Sequence, residues 1–449
     1  MARRSTRTLT EETQRPDRSD AKLRVCIDAR LTGSGVVGGV EQFIIGLARG
    51  LSQLADETIE YSFLTYANRD EWLRPYIGGT CRIIHGFGAT RLPGWSRALR
   101  KAPFVRAAVY KLLNPIRQRK QKHDAVPLAP PKSDGLIESE GFDVMHFPTQ
   151  NAFLTEVPSI YHPWDLQHLH LPQYFTLEVI QKRECEYRAF CAQAAMVVAP
   201  TSWQKQDLIE QYQLPAEKVE VIAPAPVVEF YPMPTEADLE QVRKKFDLPP
   251  RFFFYPAQTW PHKNHVGLFR ALALVRDREG VKIPLVLSGK RNDYFPTLEN
   301  AIAELNLRDQ VQFLDFVSPL ELQCLYRLCC AMVFPSLFEG FGMPISEAFV
   351  MGAPTACSNV TSLPEQADDA ALIFDPQDTE EMAQTLFRLW SDDALREHLA
   401  ECARKRVSSV KWEHTAGIFR AHYRRLSGRQ LAPEDQLLLS TSLSTCITT

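Results

Sequence analysis

The segment from residue 334 to residue 365 reads FPSLFEGFGMPISEAFVMGAPTACSNVTSLPE, and its pattern predicts a strand, a glycine-bearing loop and a helix. The strand ends near Phe334, after an apolar run. Pro344 suits the first turn of the helix, because its missing N–H is not needed there. Two glutamates frame the unit, with Glu339 in the loop and Glu347 one turn into the helix.

This unit has the chemistry of a site for a phosphate and a sugar. A helix start carries unpaired N–H groups and partial positive charge, which favour a phosphate. Gly340 and Gly342 allow the backbone to approach a ligand closely. The two carboxylates are suited to accept hydrogen bonds from sugar hydroxyls, so a nucleotide sugar fits both parts. The alternative is an ordinary strand–loop–helix with two solvated glutamates.

The residues around the two glutamates, PSLFEGFGMP, SEA and SNVTSLPE, form a more specific sequence motif than the spacing of the glutamates alone. It resembles the E-x7-E segment of retaining GT-B glycosyltransferases, family 4 in particular. The resemblance implies that Glu339 holds sugar hydroxyls and that Glu347 binds the ribose. It also implies that backbone N–H groups of Gly340, Phe341 and Gly342 approach the sugar and the diphosphate.

Composition narrows the class of protein and its compartment. The 449 residues suit two or three domains, and a net charge of −3 predicts no general attraction to nucleic acid. The ten cysteines show neither paired spacing nor a Cys/His ligand cluster, which favours free thiols in a reducing cytosol. The sequence contains no apolar run long enough for a membrane span, and residues 1–22 lack a secretion signal. We therefore expect a cytoplasmic protein with a disordered N-terminal tail.

A glycine-rich stretch follows the first predicted strand, Leu23 to Asp28. Residues 33–38 match G-x-G-x-x-G, but the distance from the strand and the missing acidic residue after the next strand argue against a dinucleotide site. Residues 38–41, with the sequence GGVE, resemble the GGxE loop of family 4 transferases. The resemblance implies that Gly38 and Gly39 close over the donor phosphate and the acceptor. The alternative is a plain glycine-rich turn.

Residues 85–140 interrupt the alternation of strands and helices. From Arg91 to Lys122 there are ten lysines and arginines and no acidic residue, with apolar residues between them. Such a segment predicts either a helix on an anionic membrane surface or a solvated insertion. The sequence leaves these two alternatives open.

The stretch HPWDLQHLHLP, residues 162–172, places a cluster of polar side chains after a predicted strand. No glutamate has the spacing of a metal-binding H-E-x-x-H motif, so we favour a site without metal. In the family 4 transferases that this sequence resembles, a His-Asp pair at this position contacts the donor sugar. Here Trp164 stands in place of the histidine, which leaves Asp165, and His168 lies three residues further on. We predict Asp165 and His168, together with Glu339, as catalytic residues, and the alternative for the first two is a structural His-Asp hydrogen bond.

In the second half, the sequence QTWPHKN, residues 258–264, separates a buried strand from a helix. A lysine before a helix start is suited to neutralise a diphosphate, and the spacing resembles the donor lysine of the family. The resemblance assigns this role to Lys263. Where family members commonly carry an arginine, this chain has Gln258. Lys290 and Arg291 are possible substitutes for the missing charge.

The whole pattern predicts an α/β protein with the GT-B fold, in which two Rossmann-like domains face each other across a cleft. Gly39, Asp165, Lys263 and Glu339 follow strand ends, so they are expected to line this cleft. A C-terminal helix is expected to cross back to the first domain. The predicted parts are a tail (1–22), the first domain (23–225), a linker (226–238), the second domain (239–407), the crossing helix (408–428) and a tail (429–449).

The predicted activity is retaining transfer of a sugar from a nucleoside diphosphate sugar to an acceptor hydroxyl in envelope or polysaccharide assembly. The sequence has no D-x-D motif, so we expect neither a metal nor another cofactor. Residues 358–365 resemble mannosyltransferases, which favours GDP-mannose. The expected acceptor is a glycan or a lipid-linked glycan, and the inner face of a membrane is the expected place to meet a lipid-linked one. The alternatives are an inactive GT-B protein that binds nucleotide sugars and a GT-B epimerase.

Overall fold

A computed structural model describes residues 21–31, 38–86, 129–408 and 410–444 of the chain. Most of the glycine-rich stretch before Gly38 and the basic segment 91–122 lie outside these residues. The described residues form two α/β domains, each built on a parallel sheet with helices on both faces. This arrangement confirms the predicted fold class.

The sheet of the first domain has the strand order β3-β2-β1-β4-β5-β6-β7 among the described residues, and all its pairs are parallel. Its order reverses between β1 and β4, which opens a crevice at the carboxyl ends of these strands. The strands are β1 Leu23–Asp28, β2 Ile59–Tyr66, β3 Cys81–Gly86, β4 Val144–Phe147, β5 Ser159–Tyr161, β6 Met196–Ala199 and β7 Val219–Val221.

The sheet of the second domain has the order β10-β9-β8-β11-β12-β13, and all its described pairs are parallel. Its order reverses between β8 and β11. The loops after these two strands therefore leave the sheet side by side and diverge to opposite faces. The strands are β8 Phe253–Pro256, β9 Leu285–Ser288, β10 Val311–Phe313, β11 Ala331–Phe334, β12 Thr355–Ser358 and β13 Ala371–Phe374.

The helices of the described ranges cover both sheets. None of the helices in the described ranges is long and apolar enough to cross a membrane. The helices are α1 Gly39–Gln53, α2 Leu136–Ser139, α3 Gln167–His170, α4 Leu177–Gln193, α5 Ser202–Tyr212, α6 Glu236–Lys245, α7 His265–Glu279, α8 Phe295–Glu304, α9 Pro319–Leu328, α10 Met343–Met351, α11 Leu363–Ala367, α12 Thr379–Ser391, α13 Asp393–Val407, α14 Trp412–Leu426 and α15 Pro433–Ser444.

Helix α14 crosses back from the second domain and completes the core of the first. Trp412 and Phe419 are fully buried there, together with residues of β1 and α1. A Cβ atom built on Gly46 of α1 would lie 1.9 Å from the Trp412 ring, so only glycine allows the two helices to approach this closely. The predicted crossing helix is therefore present, and glycines of α1 make room for it.

The C-terminal end differs from the prediction of a tail over residues 429–449. Residues Pro433–Ser444 form helix α15, which lies against α14. Its Asp435 is fully buried and accepts a hydrogen bond of 3.0 Å from Arg420 Nε, and it also pairs with Arg424. The sequence pattern missed this helix because ion pairs with α14 hold it, and the segment has no apolar periodicity.

Two predicted boundaries also shift. The linker, predicted over 226–238, contains a 3₁₀ helix at Val227–Phe230, and α6 already begins at Glu236. Val227 packs in the core of the first domain and Val228 in that of the second, so this segment is built into both. In the predicted insertion 85–140, residues 129–140 are described, and Lys132 bridges to Leu154 before α2.

Candidate active site

A cavity of about 580 Å³ lies between the two domains, where strand ends of both sheets meet. The predicted site residues line it, except His168 and Gly342. Its first-domain wall includes Gly38, Gly39, Gln42, Gln150, Asp165 and Gln167. Its second-domain wall includes Lys263, Lys290, Glu339, Gly340, Phe341 and Glu347. The cavity is therefore built from both Rossmann-like halves.

Lys263 projects from the loop that follows β8. A short 3₁₀ helix, Pro261–Lys263, ends at Asn264, which adopts the left-handed conformation with φ of 56° before α7 begins. The Tyr255 hydroxyl donates to the Lys263 carbonyl at 2.7 Å. Asn264 is held in turn, because its side-chain amide donates to the Pro376 carbonyl at 2.9 Å. These contacts fix the backbone from which the Lys263 side chain enters the cavity.

Glu339 lies in the loop after β11, and two hydroxyls clamp its backbone. The Thr361 hydroxyl accepts from the Glu339 N–H at 3.1 Å and donates to the Glu339 carbonyl at 2.8 Å. The Ser362 hydroxyl donates to the same carbonyl at 2.9 Å. The SNVTS stretch therefore holds the glutamate in place. Sequence reasoning used this stretch as a hint to the sugar and missed its contact with Glu339.

Lys263 and Glu339 form an ion pair inside the cavity. Lys263 Nζ lies 2.5 Å from Glu339 Oε1, and the two side chains are 18% and 11% exposed. The ammonium also lies 5.4 Å from the centroid of the Phe334 ring. The pair stands at the reversal of strand order in the second sheet, since Lys263 follows β8 and Glu339 follows β11. This is the position at which open α/β sheets bind their ligands.

Glu347 lies in α10 at the edge of the cavity and is almost completely buried. Burial raises the pKa of its carboxyl, and the Tyr326 hydroxyl donates to its Oε2 at 2.8 Å. Gln42 of α1 approaches the same carboxylate from the first domain. The second predicted glutamate is therefore a fixed acceptor that contacts both domains.

Asp165 supplies a carboxylate from the first-domain wall. It follows β5, after Trp164, which adopts φ of 64°. Its Oδ2 accepts from Gln150 Nε2 at 3.1 Å, and its Oδ1 accepts from the Gln167 N–H at 3.0 Å. Burial raises the pKa of the carboxyl, while Arg183, 3.8 Å from Oδ1, acts in the opposite direction. The carboxylate is held in a fixed orientation toward the cavity.

His168 does not reach the cavity, which corrects the prediction that it is catalytic. Its side chain is fully buried, and its Nε2 lies 2.9 Å from Glu184 Oε1 on α4. Its ring meets the Tyr187 ring edge-on, with the two ring centroids 5.4 Å apart. His168 lies in the short helix α3, and its side chain points into the core of the first domain. His168 therefore has a structural role.

The glycines of the two predicted loops have different roles. Gly38 and Gly39 stand at the start of α1 and line the cavity, as do Gly340 and Phe341. Gly342 does not line it. A Cβ built on Gly342 would lie 2.8 Å from Leu363 Cδ2, so this glycine allows the start of α10 to pack against α11. Gly342 therefore has a packing role, and its approach to the donor stays a prediction.

Contacts between the domains flank Glu339 on both sides. Phe338 is buried against the first domain, with its ring centroid 5.2 Å from that of His170. On the other side, a Cβ on Gly340 would lie 2.0 Å from the Trp164 carbonyl oxygen. Further along, Glu365 Oε1 accepts from the N–H of Ser202 at 2.9 Å at the start of α5. The position of the Glu339 loop therefore depends on how the domains meet.

Several wall residues were missed by sequence reasoning. Gln150 follows β4 and Gln167 begins α3, and Trp260, in the loop after β8, is 48% exposed at the cavity. Their position after strand ends was the available signal, but amides and a lone tryptophan do not stand out by residue type. The part of the chain that the structure describes holds no cluster of three or more histidine, cysteine, aspartate or glutamate side chains placed for a metal ion.

Two family models match consecutive parts of the chain. Residues 37–225 match the model described as Glycosyltransferase Family 4, and residues 237–406 match the model described as Glycosyl transferases group 1. Together they include the described cavity residues of both walls.

Relatives with assigned activities are similar to large parts of the chain. O-antigen chain mannosyltransferase B of Escherichia coli is 26% identical over 317 residues, which are 70% of this chain and 79% of that protein. The serotype-specific mannosyltransferase WbdA of Escherichia coli is 30% identical over 224 residues, which are 49% of this chain and 28% of that protein. The matched region thus spans little more than a quarter of WbdA.

Solved structures share the architecture. Alr3699/HepE of Anabaena, in complex with UDP and glucose, has a TM-score of 0.65 and 18% identity, and the match covers 90% of this chain and 100% of that one. WaaG, a glycosyltransferase involved in lipopolysaccharide biosynthesis, has a TM-score of 0.60 and 15% identity over 90% of this chain and 100% of that one. At this identity the likeness shows the fold, and it confirms the predicted GT-B arrangement.

Proposed function

Because this chain belongs to the glycosyl transferases of group 1, we propose that it transfers a hexose from a nucleoside diphosphate sugar to an acceptor hydroxyl with retention of configuration. The donor we favour is GDP-mannose, since relatives similar to this chain are named mannosyltransferases. The reaction proceeds without a metal ion. By the same reasoning the product belongs to a cell-surface polysaccharide of the O-antigen kind.

The observation that carries the proposal is the Lys263–Glu339 ion pair beside the start of α10. A diphosphate placed here meets the Lys263 ammonium and the partial positive charge of a helix start. These two features stabilise the negative charge that develops on the leaving diphosphate. Glu339, freed from Lys263, is then available to accept hydrogen bonds from the hydroxyls of the sugar.

Glu347, held by Tyr326, is suited to bind the ribose. The Tyr326 hydroxyl donates to Oε2 of Glu347, and Gln42 approaches the same carboxylate from the first domain at the edge of the cavity. We propose that a ribose hydroxyl donates to this carboxylate. The sugar then lies toward Glu339, at the other end of the loop.

Retention is proposed to occur by front-side displacement, assisted by the departing diphosphate. Among the described residues that line the cavity, Asp165 is the carboxylate that the first domain contributes. Both of its oxygens accept hydrogen bonds, from Gln150 and from the Gln167 N–H. A carboxylate held in this way orients hydroxyl groups better than it attacks carbon. We therefore assign Asp165 to binding of the transferred sugar and the acceptor.

The test is incubation of the purified protein with a panel of nucleotide sugars, followed by measurement of released nucleoside diphosphate. Release that requires an acceptor glycan indicates transfer, whereas release without acceptor indicates an epimerase or a hydrolase. The anomeric configuration of the product, measured by NMR, tests retention. Addition of a chelator should leave the rate unchanged. Loss of activity with chelator, restored by a divalent metal, would show that the proposed metal-free mechanism is wrong.

A further inference from the structure

One lysine on the cavity wall forms no ion pair with any residue that the structure describes. Lys290 follows β9 and lines the cavity, and its side chain is exposed. The other lysine on the second-domain wall, Lys263, is neutralised by Glu339. Before a ligand binds, Lys290 is therefore the cationic side chain of this wall whose charge is not balanced by a neighbouring carboxylate.

The backbone around Lys290 is fixed against the loop that carries Lys263. The Thr259 N–H donates to the Lys290 carbonyl at 3.3 Å. The preceding Gly289 has φ of 140°, and a Cβ there would lie 2.3 Å from the Ala257 carbonyl oxygen. Since β8 and β9 are neighbours, their loops place the two lysines along the same edge of the sheet.

The adjacent cation, Arg291, is directed away from the cavity. Its Nη2 donates to Asp315 Oδ2 at 3.1 Å, and its guanidinium carbon lies 4.3 Å from the centroid of the Phe295 ring. Gln258 does line the cavity but carries no charge, and its amide oxygen accepts from Trp260 Nε1 at 3.2 Å. Of the two substitutes that the sequence left open, Lys290 has the position to meet a ligand.

We propose that Lys290 supplies the second positive charge of the donor diphosphate site, an inference that rests on the proposed function. The diphosphate of a nucleotide sugar is anionic and gains further negative charge as the sugar departs, so one shared lysine is a weak counter-charge. Lys290 attracts the diphosphate first. Lys263 joins it when Glu339 exchanges the ammonium for sugar hydroxyls. Two lysines and the α10 start then surround the leaving group.

The experiment measures nucleotide binding by calorimetry with the full-length protein and three variants. Lys290→Gln should weaken binding of the nucleoside diphosphate by about tenfold, the value of one charge-assisted contact. Binding of the matching monophosphate should weaken less. Lys290→Arg keeps the charge and should remain within about threefold of the parent. Arg291→Gln is the matched control, and it should bind like the parent.

The probes are GDP, UDP, ADP and dTDP with their monophosphates, and thermal unfolding verifies that each variant is folded. If Lys290→Gln binds the diphosphate as tightly as the parent, Lys290 has no such role, while the proposed donor class stands. Equal losses for diphosphate and monophosphate, or an equal loss in Lys290→Arg, would also contradict the inference. If the parent binds none of the four diphosphates, the proposed function itself is overturned.

Discussion

Lys263 Nζ and Glu339 Oε1 lie 2.5 Å apart at the reversal of strand order in the second sheet, although 76 residues separate them in the sequence. The group proposed to bind the diphosphate and the group proposed to bind the sugar therefore neutralise each other before a donor arrives. In the proposed reaction, donor binding replaces this ion pair by contacts of Lys263 with the diphosphate and of Glu339 with the sugar hydroxyls. This exchange gives separate expectations for the two residues.

Glu339→Ala should lower turnover by about two orders of magnitude, because it removes a polar contact that strengthens in the transition state. Nucleoside diphosphate affinity should not fall, since the change frees Lys263 from its partner. Turnover and calorimetric binding, measured on the same preparation, test both parts. Glu304→Ala, on the exposed end of α8, is the control and should behave as the parent. Near-normal turnover in the Glu339 variant would contradict its assignment.

Lys263→Ala should weaken nucleoside diphosphate binding by about tenfold and slow transfer as well, because an ammonium is lost from the leaving group. The double variant Lys263→Ala/Glu339→Ala should lose less than the sum of the single losses in transfer free energy, since the two residues contact each other. Lys282→Ala, which removes a surface pair with Asp309, is the control. Strict additivity would indicate that the ion pair has no part in the reaction.

Gly340→Ala should reduce kcat/KM by at least about tenfold while leaving thermal unfolding nearly unchanged. A Cβ at this position collides with the Trp164 carbonyl of the other domain, so the domains cannot meet as they do here. A displacement of the order of an ångström at a reacting centre costs about two orders of magnitude in rate. Small-angle scattering should show a more open particle. Parental activity would mean that the closed contact is not needed for transfer.

Acid should destabilise the protein through its buried histidines. His146 Nε2 lies 2.7 Å from His162 Nε2, and burial lowers the pKa of His146 to about 3. In the unfolded chain a histidine takes up its proton near pH 6.5, so the unfolded state binds more protons between these values. Stability should therefore fall as pH drops from about 6.5 towards 3.

His146→Gln should reduce this dependence on pH, measured as the change of the denaturant midpoint from neutral to acid pH. His398→Gln is the control, because His398 is exposed on α13. An equal acid response in parent and His146→Gln would exclude His146 as a source of the effect.

The basic segment from Arg91 to Lys122 gives a prediction that rests on the sequence alone. Ten cationic residues, with apolar residues between them and no acidic one, should bind vesicles that contain anionic lipid. Binding should be reversible and should weaken as salt rises. The negative surface potential of anionic lipid is screened within about 8 Å at physiological salt. Co-sedimentation with neutral and anionic vesicles tests this. Equal binding to both, or to neither, would favour a solvated insertion.

The sequence predicted the fold, and most of the predicted site residues line the cavity, because the positions of strand ends determine both. Lys263 and Glu339 each follow an apolar strand, and parallel strands bring their carboxyl ends to one edge of a sheet. Glu347 could be placed by its position in a helix after the loop. For these residues, local pattern and resemblance pointed to the same edge.

The remaining features depend on partners that are distant in the sequence. His168 is turned from the cavity by Glu184, on a different helix, and Asp435 orders a polar C-terminal segment through Arg420 and Arg424. The clamp of Thr361 on Glu339 is likewise a contact between two loops. Residue type and periodicity do not indicate which distant side chain a polar group will contact. These features could therefore be found only in the structure.

The return of α14 to the first domain has a consequence for the order in which the chain folds as it is made. Trp412, Phe419 and Tyr423 fill the core of the first domain, yet the ribosome adds them after the whole second domain. Until they emerge, the glycine-bearing face of α1 has nothing to pack against. The half of the protein that is synthesised first is therefore the half that is completed last, and apolar surface stays open to chaperones throughout translation.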